Sequence, residues 1–154
     1  MKINMVLKTL VVSTTLCLLL SAFSTKPGSH SFQVYLDDKL MIEQYVSSKM
    51  LVPRINIDPA ENYTRLVVKY NECGRTVTGR KINIKDDRGN VLKEWNFEGS
   101  TSGYKDAMTC SVKDIQALRQ KANGELRLYY FSADFTEGQQ IATLAFGKRD
   151  TAAN

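Results

Sequence analysis

Apolar and polar residues alternate with a period of two through most of this chain, which predicts a protein built from short β-strands. Phe32, Val34 and Leu36 share one face, with Gln33 and Tyr35 on the other. Asp37-Asp38-Lys39 reads as a tight turn into a second strand, Leu40 to Val46, so the domain opens with a hairpin. Pro53 interrupts the extended piece from Met50 to Ile57. A proline cannot donate to a strand ladder, so this piece is expected at a sheet edge or a bulge. Further on, Leu66, Val68 and Tyr70 alternate with Arg65, Val67 and Lys69, and Ile82 and Ile84 with Lys81, Asn83 and Lys85.

Asp86 to Asn90 (DDRGN) is a hairpin turn in which Gly89 can supply a positive φ. On the return strand, Val91 to Phe97, Leu92 is out of phase with Trp95 and Phe97 and signals a bulge or twist. A flexible loop over 98–103 leads to a short strand around Ala107 to Val112. One helix is expected near 112–122. Ser111 caps it, Asp114 stands three residues on, Val112, Ile115 and Leu118 share a side, and Asn123-Gly124 stops it. Two strands close the domain: Glu125 to Ala133 with Leu126, Leu128 and Tyr130 inward, and Gln140 to Gly147 with Ala142, Leu144 and Phe146 inward.

About eight short strands and one short helix suit an all-β fold: an antiparallel β-sandwich, Ig-like or similar, with a partly closed barrel as the rival. The run from Gly79 to Trp95 (GRKINIKDDRGNVLKEW) resembles a segment of small, exported bacterial proteins of uncharacterised activity. Leu126 to Phe131, followed by Gly138 and the Ile141–Leu144 strand, is similar to the end of the same kind of domain. The resemblance implies an exported β-sandwich and brings no catalytic residue or ligand with it.

The first 24 residues change the picture. Lys2 and Lys8 lead an apolar run from Thr9 to Phe23, and Ala22-Phe23-Ser24 leaves small residues at the −3 and −1 positions of a cleavage site. This is the form of a secretory signal peptide, cut near Ser24-Thr25. Fifteen residues interrupted by Ser13, Thr14 and Thr15 fall short of the roughly 20 that a spanning helix needs. The organisation read from the chain is a signal peptide over 1–24, a flexible leader over 25–31, one domain over 32–148 and a disordered tail over 149–154. The product is expected in the periplasm or secreted, without a membrane span after cleavage.

Cleavage removes Cys17 and leaves Cys73 and Cys110, which an oxidising compartment is expected to pair. A bridge over 36 intervening residues would remove roughly 4 kcal/mol of unfolded-chain freedom on the loop-entropy model. Charge adds little. Taking Lys2 and Lys8 from the 21 basic residues leaves 19 against 16 acids, a net of +3 spread in alternating sign. Nothing in that pattern suggests nucleic-acid binding.

Candidate chemistry is sparse. The single histidine, His30, sits in the leader, away from any nucleophile. No metal-ligand spacing, cofactor motif or catalytic constellation is visible, and Asp37-Asp38 and Asp86-Asp87 are adjacent turn residues whose side chains diverge. Binding signals are better. Tyr129 and Phe131 fall on the face opposite Leu126, Leu128 and Tyr130, and Arg75, Arg80 and Lys81 flank the loop after Cys73. The expected function is a non-enzymatic binding module for an envelope protein or polysaccharide, through Tyr129, Phe131, Arg75 and Arg80. An accessory subunit that pairs by an edge strand, and a hydrolase with an unrecognised carboxylate site, are the alternatives.

Overall fold

The computed structural model describes residues 30–47, 49–72, 75–99, 106–122 and 124–147. The segments expected as signal peptide and tail, and most of the expected leader, lie outside them. Strands β1 (Ser31–Leu36), β2 (Lys39–Tyr45), β4 (Arg65–Asn71) and β7 (Met108–Ser111) form a four-stranded sheet in the order β2-β1-β4-β7. Strands β3 (Arg54–Ile57), β5 (Arg80–Lys85), β6 (Val91–Phe97), β8 (Leu126–Phe131) and β9 (Gln139–Phe146) form a five-stranded sheet in the order β3-β9-β8-β5-β6. One helix, α1 (Val112–Leu118), carries the chain from one sheet to the other.

Alternation decides which side chains meet. Phe32, Val34, Leu36, Leu66, Val68, Tyr70, Met108 and Cys110 of the first sheet share one buried cluster with Ile55, Ile57, Ile82, Ile84, Leu126, Leu128, Tyr130, Ala142 and Leu144 of the second. This is a β-sandwich with a single core. The central inter-sheet contact is aromatic. Tyr130 of β8 stacks on Tyr70 of β4 with centroids 3.9 Å apart, and the Tyr130 hydroxyl donates to Glu72 Oε1 at 2.8 Å. Glu72 is only 2 % exposed. Burial, reinforced by that carboxylate, pushes the Tyr130 phenol well above the ordinary range and keeps it a donor.

Local chemistry sets the turns. Asp37 adopts a positive φ of 51°, which its short polar side chain tolerates, and closes the β1–β2 hairpin. Its carboxylate accepts from Thr64 Oγ1 at 2.7 Å and from the Arg65 amide at 3.0 Å, tying the hairpin to β4. The Thr64 hydroxyl holds that carboxyl below the usual carboxylate range. At the β5–β6 turn Asp86 accepts from the Asn90 amide at 2.7 Å and its side chain at 2.8 Å, with Gly89 at φ 87°. The predicted irregularity at Leu92 is a bulge: Ile84 pairs with Lys93 and Lys85 with Val91, so Leu92 is passed over. Ser111 caps α1, its Oγ accepting from the Asp114 amide at 3.2 Å. The helix is shorter than the predicted 112–122 because i→i+3 bonds, Arg119 to Gln116 and Lys121 to Leu118, tighten the chain at its end.

Several expectations are corrected. The described residues form nine strands, in keeping with the expected eight or so, but β3 pairs with β9 in parallel while every other pair is antiparallel. A hairpin would have forced reversal, but the chain leaves β2 in one sheet to reach β3 in the other. Pro53 does mark an edge: β3 is the outer strand, and the Pro53 carbonyl accepts from the Thr143 amide at 2.9 Å. The fold also reaches back into the expected leader. Ser31 is buried in β1, and His30 lies edge-on to Phe135 at 5.0 Å.

No disulfide is seen among the described residues. Cys110 is a free, fully buried thiol whose pKa burial pushes up to about 12, and Cys73 lies outside the described residues.

Tyr130→Phe keeps the stack but leaves a buried carboxylate without its donor. It is expected to cost about 1–3 kcal/mol in urea unfolding, and a change within error would show that Glu72 is satisfied without Tyr130. The Cys110 thiol is expected to resist alkylation in the folded protein and to react only after denaturation.

Candidate functional site

The outward face of the five-stranded sheet is where aromatic and charged side chains converge. Tyr130 points into the core, so its neighbours on β8 point out: Arg127, Tyr129 and Phe131. In the β5–β8 register these stand opposite Lys85, Asn83 and Lys81 respectively. Antiparallel pairing therefore sets a cation across from Phe131 and an amide across from Tyr129, with Lys85 one pair further along, opposite Arg127.

The rings form one platform. Tyr129 and Phe131 are half-buried, with centroids 6.3 Å apart and planes tilted by 34°. The Lys85 ammonium lies 4.4 Å from the Tyr129 centroid and 5.1 Å from that of Phe131, and Lys81 lies 5.8 Å from Phe131. These are cation–π distances. Lys81 also meets Glu94 at 3.5 Å. The Tyr129 hydroxyl donates to Gln140 Oε1 at 3.2 Å, and the Gln140 amide donates to Thr143 Oγ1 at 3.3 Å. Beneath Phe131 the chain approaches closely: Gly138 has φ 78°, and a Cβ there would collide with three atoms of the ring. Asn83 sits between Tyr129 and Glu94 in the register, only 4 % exposed, and its Oδ1 has no hydrogen-bond partner among the described residues.

The two arginines singled out in the sequence have different surroundings. Arg75 is exposed and meets Asp134 at 3.5 Å. Arg80 is 3 % exposed, and its guanidinium donates to the carbonyls of Glu98, at 3.4 Å, and Asp106. It ties the end of β6 to the approach of β7 and so works inside the fold. Lys81, its neighbour, is the cation that reaches the outer face.

The residues that sequence reasoning missed are Asn83, Lys85 and Gly138 as members of this site, and Glu72 as the partner of Tyr130. Each becomes visible only through cross-strand register or close approach, which alternation along one strand does not encode. Elsewhere, a hollow of about 480 Å³ lies beside the end of α1, where the Arg119 guanidinium sits 5.6 Å over the Phe146 ring and Pro59, Gln116 and Gln120 complete the wall. Among the described residues no group of three or more His, Cys, Asp or Glu side chains is placed to hold a metal ion, and no helix is long and apolar enough to cross a membrane. No protein-family model matches this chain, and no curated protein matches it.

Gly138→Ala tests whether the platform is held by that close approach. It adds a steric collision to the backbone strain of a positive φ, and about 2–4 kcal/mol is expected from the two together. Gly89→Ala, at φ 87° with open space around it, meets the strain alone. Equal losses for the two variants would mean that Phe131 moves aside freely.

Proposed function

We propose that this protein is an exported, non-enzymatic binding module of the cell envelope. It works by holding a macromolecule against the outer face of its five-stranded sheet. The observation that carries this reading is the Tyr129–Phe131 platform: two adjacent half-exposed rings, fixed from below by Gly138 and overlaid by lysine ammonium groups. Rings in water cost free energy that only a partner or the core recovers, and aromatic residues flanked by cations favour contact surfaces. The signal-peptide pattern over 1–24 supports an envelope or secreted location. Arg75, exposed beside Asp134, belongs to the rim in this reading, and Arg80 acts by fixing the scaffold.

The alternatives have less support. All four sheet edges are blunted. β2 is bulged at Met41 and β6 at Leu92, while β3 and β7 are four residues long. Such edges discourage strand addition. A hydrolytic carboxylate pair would need convergent acids, yet Asp37 and Asp86 are engaged in their own turns and Glu72 is enclosed with Tyr130.

The exported form is expected to begin at or near Thr25 by N-terminal sequencing, and a retained Met1 would remove the envelope assignment. It is also expected to co-sediment with isolated envelope fragments. The Tyr129→Ala/Phe131→Ala double variant, with its fold checked by circular dichroism, should lose this association at least tenfold. Undiminished sedimentation of a folded double variant would refute the platform as the binding face.

A further inference from the structure

We infer that the ligand of this face is an acidic polysaccharide, a conclusion that rests on the binding reading above and names its chemistry. Three features of the face point the same way. First, its charge is unbalanced. Lys81, Lys85 and Arg127 stand on it, and of the acids beside them Glu94 is tied to Lys81 and Glu125 to Arg54. A complementary partner must bring negative charge.

Second, the apolar component is a pair of ring faces lying on the sheet. Tyr129 is tethered by its hydroxyl to Gln140, and Phe131 rests against Gly138. Rings seated in this way cannot project into a bilayer to the depth that interfacial anchoring requires. They can stack against the flat C–H face of a sugar ring, because the negative face of an aromatic ring attracts polarised C–H bonds.

Third, Asn83 distinguishes among anionic polymers. It is 4 % exposed and lies in the middle of the face, with an acceptor oxygen that has no partner among the described residues. An unsatisfied acceptor calls for a donor. A polysaccharide carries hydroxyl donors beside its acidic groups, whereas a polyphosphate offers acceptors alone and an acidic peptide has its donors on the backbone, set back from the carboxylates.

The binding sequence follows from the same positions. In the free protein the Lys85 ammonium lies over both rings, at 4.4 and 5.1 Å. A carboxylate or sulfate draws that ammonium away from the rings, uncovering them for the sugar face, and the displaced side chains let a hydroxyl reach Asn83. Exposed cation–π contacts are weak enough to exchange in this way. The three cations, separated by strand spacing, then read an acidic group that repeats along the chain.

Isothermal titration calorimetry of the exported form with polygalacturonate, dextran, polyglutamate and phosphatidylglycerol vesicles tests the inference. Polygalacturonate is expected to bind, and to weaken steeply with added salt as the charge contacts are screened. Dextran, polyglutamate and the vesicles should bind at least tenfold more weakly. Lys85→Gln and Tyr129→Ala should each reduce polygalacturonate binding about tenfold, and Lys49→Gln, away from this face, should leave it unchanged. Equal or tighter binding of polyglutamate or vesicles, or no binding of polygalacturonate, overturns the inference. If polygalacturonate fails while ring-dependent sedimentation with envelope fragments persists, the glycan assignment falls and the binding reading stands. If sedimentation ignores the rings, both fall.

Discussion

The fold turns on a single side chain. Tyr130 reaches from the five-stranded sheet to stack on Tyr70 of the other sheet and bonds the Glu72 carboxylate just beyond it. An inter-sheet contact made only of aliphatic groups can slide. One that contains a directed hydrogen bond at 2.8 Å fixes both the spacing and the relative shift of the layers. Glu72 is nearly sealed from water, so losing this donor would leave a buried polar atom unpaired. This contact, rather than cystine, is the specific link between the layers seen among the described residues.

The outer face inherits its order from that link. Because side chains alternate along β8, fixing Tyr130 inward fixes Tyr129 and Phe131 outward, and the β5 register brings Lys81, Asn83 and Lys85 alongside. A slip of one residue would exchange the two populations, burying Tyr129 and Phe131 and exposing Tyr130. The packed core and the outward aromatic pair are thus two results of one register. Arg80 contributes at the same end, its guanidinium holding the carbonyls of Glu98 and Asp106 while its neighbour Lys81 extends to the surface.

Much of this was legible in the sequence, for identifiable reasons. Alternation located the strands and the inward set Leu126, Leu128 and Tyr130, because burial on one face leaves a direct period-two trace. Ser111 and Asp114 marked the start of the helix because capping is local chemistry. Leu92 betrayed its bulge by breaking phase. What remained hidden depends on which strands become neighbours. The parallel β3–β9 pairing and the inward role of Arg80 are properties of topology. The candidate site divides along the same line. Tyr129 and Phe131 follow from their own strand, whereas Asn83, Lys85 and Gly138 enter only when β5 and the approach to β9 are laid beside β8.

The parallel pairing of β3 also sets an order of assembly. Strand β3 (Arg54–Ile57) has β9 (Gln139–Phe146) as its sole neighbour in the sheet, so it has no hydrogen-bonding partner until nearly the whole domain has been synthesised. Contacts so distant along the chain form late and slowly. A ribosome-bound nascent chain would therefore carry an incomplete sheet, with one strand waiting unpaired. Such a sheet is completed only when the last strand of the domain arrives, so its edge is the final part of the layer to close.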